Sequence, residues 1–283
     1  MHWKAKAAAF RALDFLPLTE DIHYYLQRRL TRTLPRSEKQ LDGYWDVAKA
    51  LLADWERHHA SPLPAQVLEI GAGRDLAAPL ALSMMGVERI VASDVARLAR
   101  IDLVRHAGRH MAMRAGRSPP RLDTWAELEG LGVAYRAPDV VAAPYPETFE
   151  CSASNAVLEH VPRGRLLRLL RGLKAATRPG GLSIHFIDYS DHFARSDRRL
   201  SRFNFLKFTD RQWAKYNSRL QFVNRLRHSD YLRLFTEAGF TIAEERALTL
   251  APVPEISAKL APQFRAYGER DLFSLEGHII AVA

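Results

Sequence analysis

Near residue 70 an apolar run, AQVLEI, ends in Glu69-Ile70-Gly71-Ala72-Gly73-Arg74-Asp75. A strand that stops on an acidic residue and two glycines suits a nucleotide-type cofactor, because glycine lets the backbone turn sharply and approach a ligand with no Cβ in the way. The following helix should add its unsatisfied N–H groups to the same spot. A pyrophosphate is disfavoured: Leu76 stands where a dinucleotide fingerprint wants its third glycine, and Asp75 would set a like charge at the helix start. Asp94 ends the next apolar run, RIVASD, about twenty residues on, where a carboxylate commonly accepts from ribose hydroxyls. Capping of the next helix is an alternative role for it. Further along, Glu159-His160 and the group Asp188, Tyr189, Asp191 and His192 supply acid–base candidates. An imidazole beside a carboxylate, as in Asp191-His192, suits a general base; an anchoring role for His192 is the alternative. A metal set from Glu159, His160, Asp188 and Asp191 is chemically conceivable, but the spacing does not demand one and no metal is expected.

These residues need elements to hold them. Residues 1–62 carry apolar positions at helical spacing, punctuated by Pro17, Pro35, Pro62 and Pro64, and read as an N-terminal helical cap. From 65 onward strands and helices alternate, the pattern of a parallel sheet covered on both faces. The strands are AQVLEI, RIVASD, GVAYRAPD, TFECSASNA and LSIHFIDY; the helices are DLAAPLALSMMG, an arginine-rich one beginning near Ala96, and GRLLRLLRGLKAATR, stopped by Pro179-Gly180-Gly181. Residues 188–228 break the alternation, mixing Phe203, Phe205, Phe208, Trp213, Tyr216 and Phe222 with arginines. The pattern resumes with HSDYLRLFTEAG, FTIAEERAL and GHIIAVA. The partition is therefore 1–62 cap, 63–187 cofactor-binding body, 188–228 insertion or lid, and 229–283 the end of the body. An insertion after the fifth strand lies at the carboxyl end of the sheet, where open α/β sheets bind ligands.

The succession VLEIGAGRD, IVASDV, APDVVAAPYPETFE, SNAVLEHVP and LKAATRPGGLSIHFID resembles the motif series of class I S-adenosylmethionine-dependent methyltransferases, in order and in register. The likeness covers roughly residues 65–187 and again 229–283. It implies a Rossmann-like, seven-stranded, mostly parallel sheet with helices on both faces, and S-adenosyl-L-methionine as cofactor. On this resemblance Glu69, Gly71, Ala72 and Gly73 lie against the methionine part, Asp94 holds the ribose hydroxyls, Asp139 faces the adenine amine, and Ser154, Asn155 and Ala156 line the pocket near the methyl group. Glu150 and Asp75 depart from the usual pattern; Asp75 is free to cap the helix. The insertion, with DYSDHF and NFLKF, is similar to a small-molecule branch found beside carbohydrate or natural-product biosynthesis. Methyl transfer from a sulfonium is an in-line displacement, so the protein aligns the acceptor and, for a hydroxyl, takes up its proton. His192, Asp191 and His160 are the catalytic candidates.

Bulk properties narrow the partners. The chain has 283 residues, 47% of them apolar, and a net charge of +9. Residues 95–122 hold seven arginines against one aspartate, read as a solvated helix face; residues 188–230 hold ten Lys/Arg against five Asp. Arg198, Arg199, Arg202, Arg225 and Arg227 could meet a carboxylate or phosphate. A small polar or anionic metabolite is the expected acceptor, O-methylated and sugar-containing or of natural-product type. A nucleic-acid methyltransferase is the alternative; the position after the fourth strand reads SNAVLEH instead of the Asn/Asp-Pro-Pro-aromatic motif of base-directed enzymes. A cofactor-binding protein without turnover is the third reading. One cysteine, Cys151, fits a reducing compartment, and no run approaches a membrane span, so a cytoplasmic location is expected.

Overall fold

The computed structural model describes residues 2–15, 19–142 and 144–283; Pro17 and the Ala143 of the third motif lie outside the described residues. Helices α1 (Trp3–Leu13), α2 (Thr19–Tyr25), which runs into a wider turn over Leu26–Leu30, and α3 (Glu38–His58) precede the sheet. The sequence sets the start of α3 locally: the Ser37 hydroxyl accepts from the Gln40 N–H while the Gln40 side chain accepts from the Ser37 N–H.

Seven strands follow among the described residues: β1 (Gln66–Ile70), β2 (Arg89–Ser93), β3 (Val133–Arg136), β4 (Phe149–Asn155), β5 (Thr177–Asp188), β6 (Thr241–Thr249) and β7 (Ser274–Val282). Their order is β3-β2-β1-β4-β5-β7-β6, parallel except for β7, which runs antiparallel to both neighbours. The order reverses between β1 and β4, where Val67, Leu68 and Glu69 pair with Cys151, Ser152 and Ala153. A crevice at the carboxyl ends of those strands is the expected ligand site.

Both faces are covered, which is why Val67 and Leu68 of β1 and Ile90, Val91 and Ala92 of β2, which alternate between the two sides, are all apolar and buried. On one face α3, α4 (Ala77–Met84) and α5 (Ile101–Arg114) pack over Val67, Ile90, Ala153 and Ile184. On the other, α7 (Arg163–Ala176) and α9 (His228–Glu237) pack over Leu68, Val91, Phe149 and Ile279. Helix α4 is buried at every position, matching its uninterrupted apolar sequence.

Several boundaries differ from the sequence reading: β3 ends at Arg136, three residues before Asp139, and two further shifts have a local cause. The arginine-rich helix begins at Ile101, not near Ala96, because the Leu98 and Ala99 N–H groups donate to the Tyr135 hydroxyl and Arg100 N–H to the Arg74 carbonyl. The helix before β5 stops at Ala176: the Thr177 hydroxyl turns back to the Leu173 carbonyl and its backbone pairs with Phe149.

A third apolar cluster touches the sheet only at the start of β7, through Leu275. It joins Trp3 and Ala7 of α1 to Phe203, Phe205 and Trp213 of the insertion and to Ile256, Phe264 and Leu272 from the connection between β6 and β7. The insertion folds as short turns and the brief helix α8 (Asp210–Trp213); the connection contributes α10 (Pro254–Ser257) and α11 (Glu269–Leu272). Neither piece has enough apolar surface to stand alone, so each completes the other.

Candidate functional site

The glycine turn is built as its residue types require. Gly71 and Gly73 have φ of +72° and +76°, values that cost little only without a Cβ. The Gly71 and Ala72 N–H groups both donate to the Ser93 carbonyl, pinning the turn to the end of β2. A Cβ on Gly71 would overlap the Val157 side chain, whereas one on Gly73 meets no atom within 4 Å. Open space thus lies beside Gly73. Asp75 does not cap the following helix, whose N-cap is Leu76 in the left-handed region. Its buried carboxylate pairs instead with Arg36, whose guanidinium stacks on Tyr44 with 4.6 Å to the ring centroid. The N-terminal cap is thereby bolted to the turn.

Glu69 is buried, and its Oε2 has no hydrogen-bond partner. Burial, with Asp75 and Asp94 adding repulsion, pushes its carboxyl up to about 8. Asp94 accepts from the Gly73 N–H at 3.2 Å and is also raised, chiefly by burial. Asp139 accepts from Ser93 Oγ at 2.9 Å and from the Tyr145 hydroxyl at 2.7 Å, and its own N–H donates to the Asp94 carbonyl. The turn, Asp94 and Asp139 therefore share one edge of the sheet. Asn155 and Ala156 (φ +53°) continue that edge at β4.

Ser154 points the other way. Its hydroxyl lies 2.7 Å from His185 Nδ1, in a buried chain that continues through Ser183, Ser152 and Thr177 to the Leu173 carbonyl. A carbonyl only accepts, so every donor in the chain is ordered: Thr177, Ser152, Ser183 and then His185 Nε2–H donate in turn, and Ser154 donates to Nδ1. Burial, helped by His278, lowers the His185 pKa to about 3. In this structure Ser154 tightens the sheet interior and does not line the cleft.

The acid–base candidates regroup. Asp191, the presumed partner of His192, is fully buried and turned into the lid, accepting from the Phe193 N–H at 2.9 Å and from Asn204 Nδ2 at 3.1 Å. The carboxylate that meets the imidazole is Asp188, four residues earlier at the end of β5, with Oδ2 3.5 Å from His192 Nε2. Arg195 binds Asp188 and also donates to His192 Nε2 at 3.2 Å. Burial opposes ionisation of Asp188, yet His192 and Arg195 hold its carboxyl well below the usual range. Burial lowers the His192 pKa as well. His160 comes from the turn after β4 (Leu158–His160); its ring centre lies 5.0 Å from that of His192 and its Nε2 3.9 Å from Glu159 Oε1.

Two clefts flank Asp188 and Glu276 at this edge. The larger, about 460 Å³, is lined by Asn155, Ala156, Phe186, Gly277 and His278 with Val47 of α3; the smaller, about 270 Å³, by Ser190, Ala194, Arg195 and Arg202. Tyr189 faces away from both, its hydroxyl 2.8 Å from His228 Nδ1. Sequence reasoning missed Arg36, Tyr44, Arg195 and Glu276, which belong to no local motif. Only Arg195 carried a signal, lying one turn from His192.

The insertion's arginines are mostly committed. Arg225 donates to the Phe205 and Phe208 carbonyls, pairs with Asp210 and stacks on Trp213. Fully buried Arg227 serves the carbonyls of Tyr189, Asp271 and Ser274. Arg199 is held by Asp197. The earlier arginine stretch is likewise not simply a solvated face: Arg100 pairs with Asp21 and Arg114 with Asp42 of the cap, while Arg105 pairs with Asp123.

A family model described as a methyltransferase domain matches residues 18–245. Curated proteins gave no match. Similar solved structures include an S-adenosylmethionine-dependent methyltransferase from Mesorhizobium loti (16% identity, 86% of this chain and 100% of that one, TM-score 0.49). Another is magnesium protoporphyrin IX methyltransferase from Synechocystis PCC 6803 (12% identity, 85% and 83%, TM-score 0.49). A third is a candidate O-methyltransferase from Nostoc punctiforme PCC 73102 (15% identity, TM-score 0.47); this chain spans 56% of that longer protein while 86% of its own length is covered.

Proposed function

Because the chain belongs to the methyltransferase-domain family, we propose that it methylates a hydroxyl of a small polar metabolite, of sugar-containing or natural-product type. S-adenosylmethionine is its methyl donor. The residues present fit that cofactor. Glu69 offers a buried carboxylate oxygen without a partner, suited to a cationic group, and Gly73 leaves open space beside the backbone. Asp94 stands at the end of β2, where ribose hydroxyls are held in such folds. When bound, the cofactor supplies an electrophilic methyl group on a sulfonium.

The protein's own part is to present the acceptor. The observation that supports the acceptor reading is the meeting of His160 with His192 and of His192 with Asp188, a carboxylate that lines both clefts at the carboxyl edge. An acceptor hydroxyl placed there gives up its proton into this cluster as the oxygen attacks the methyl carbon. Burial keeps His192 neutral near pH 7, the form able to accept a proton. An anionic acceptor is favoured by Lys6 of α1, partly buried, bonded to Ser196 Oγ at 3.3 Å and crowded by Arg195.

Against nucleic acid stands the pairing of the arginine stretch with acids of the cap and of its own loop; cations so engaged release fewer counterions on a phosphate backbone. Among the described residues no helix is long and apolar enough to cross a membrane. The test is a turnover assay of formed S-adenosylhomocysteine against phenols, sugar acids, neutral glycosides and RNA. His192→Ala is expected to lose about 10²- to 10⁴-fold in rate with cofactor affinity kept. Full activity in that variant ends the acid–base assignment, and methylation confined to RNA overturns the acceptor class.

A further inference from the structure

We propose that Glu159, His160 and His192 form a binding site for a divalent transition-metal ion, of the class of Zn²⁺ or Mn²⁺, on the acceptor side of the sheet. One ligand atom from each residue lies within 4.8 Å of the other two. Around a tetrahedral ion such atoms stand about 3.3 Å apart, so closure by up to about 1.5 Å, within the reach of side-chain rotation, completes the cage. Two imidazoles with a carboxylate select borderline first-row ions over calcium or magnesium.

The cluster carries marks that packing alone does not explain. Glu159 is 3% exposed, and neither of its oxygens has a hydrogen-bond partner. An unpartnered buried carboxyl costs several kcal/mol if ionised and forgoes its hydrogen bonds if neutral. Both imidazoles are also pre-set as ligands. His160 Nδ1 meets the Phe222 carbonyl at 2.6 Å; a carbonyl cannot donate, so Nδ1 carries the hydrogen and Nε2 presents its lone pair towards Glu159. A backbone carbonyl on the far nitrogen is the usual support of a metal-bound histidine. His192 Nε2 faces both Arg195, at 3.2 Å, and Asp188 Oδ2, at 3.5 Å; in the tautomer that accepts from Arg195 this nitrogen holds a lone pair. The ion takes that place while Arg195 stays on Asp188, whose Oδ2 lies 3.5 Å from the same nitrogen and is close enough to serve the ion's outer sphere.

The Asp191 of the set weighed from sequence has no part in this site, and His192 takes its place. Glu159 and His160 stand on the turn after β4 and His192 on the lid, so the ion ties lid to body. An ion on His192 Nε2 occupies the lone pair that would otherwise take the proton, so with metal bound the ion assists instead by lowering the pKa of an acceptor hydroxyl; that consequence rests on the proposed function, the binding itself does not.

The experiment uses full-length, tag-free protein stripped with chelator and titrated calorimetrically with Zn²⁺ and Mn²⁺, with Co²⁺ absorption as a second readout. One ion per chain is expected. Glu159→Gln and His192→Ala should each weaken binding by about 100-fold or more, while His58→Ala, a distant histidine paired with Glu244, should change nothing. No binding at millimolar metal, or equal affinity in all variants, overturns the site. If Glu159→Gln fails to fold by circular dichroism, the Co²⁺ spectrum of His192→Ala decides: a spectrum unchanged from wild type refutes the cage. Metal binding without methyl transfer to any acceptor upholds the site and sinks the acceptor reading, whereas methyl transfer with no metal bound does the reverse.

Discussion

Replacing Glu69 by glutamine should make the cofactor-free protein more stable at neutral pH, by an amount that grows with pH. The carboxyl titrates near 4.5 in an unfolded chain and near 8 in the fold, because burial, together with Asp75 and Asp94, disfavours its charge. Between those values the folded protein holds a proton that the unfolded chain has lost. The contribution of Glu69 is therefore intact below about pH 4.5 and falls as pH rises towards 8. At about 1.4 kcal/mol per pH unit the loss is on the order of 3 kcal/mol by pH 7. Glutamine keeps the shape without the titration. Urea unfolding of wild type and Glu69→Gln at pH 4, 5, 6, 7 and 8 should show a difference that is smallest at pH 4, is under about 1 kcal/mol at pH 5 relative to that baseline, and widens in favour of the variant. Glu159, also raised to about 8, bends both curves alike and cancels in the difference. The cofactor should reverse the ranking: its cationic groups favour ionised Glu69, so binding at pH 7 releases close to one proton from wild type and none from the variant, read by calorimetry in buffers of different ionisation enthalpy. A stability difference that stays constant from pH 5 to pH 8 would refute the reasoning.

Three further outcomes follow from the same geometry. Asp94→Ala should weaken S-adenosylmethionine binding by about 10- to 100-fold, the worth of hydrogen bonds to a charged group; unchanged calorimetric affinity removes Asp94 from the site. Gly71→Ala forces a left-handed alanine against Val157 and should cost about 2–4 kcal/mol in chemical denaturation, more than Gly116→Ala, where φ is also positive but no atom lies within 4 Å. His185 should remain the neutral Nε2–H tautomer from pH 4 to pH 9 in ¹⁵N NMR, since its pKa is lowered to about 3 by burial and both ring nitrogens are engaged. An Nδ1–H tautomer contradicts the donor order traced from Leu173.

The parts of the site legible in the sequence are those set by backbone requirements. The glycines at 71 and 73 need positive φ, Asp94 follows β2 directly, and the apolar runs read as strands because the sheet is buried on both faces. What stayed hidden depends on side-chain direction. Asp191 adjoins His192 in sequence, yet neighbouring residues in an irregular turn point apart; Asp188, four residues earlier, reaches the ring. Ser154 sits in a motif but falls on the inward side of the β4 pleat. Arg225 and Arg227 looked like free cations because the carbonyls they serve come from other segments up to 47 residues away. The cap's grip on the glycine turn, Arg36 on Asp75, spans 39 residues and leaves no local pattern.

The third apolar cluster, which draws on three distant segments and shares no residue with the two that pack the sheet, has an evolutionary reading. Substitutions that reshape Phe203, Trp213 or Ile256 alter this cluster without touching the packing beneath the glycine turn. If the acceptor lies under the insertion, as proposed above, such a fold lets the acceptor side change while the donor side stays the same.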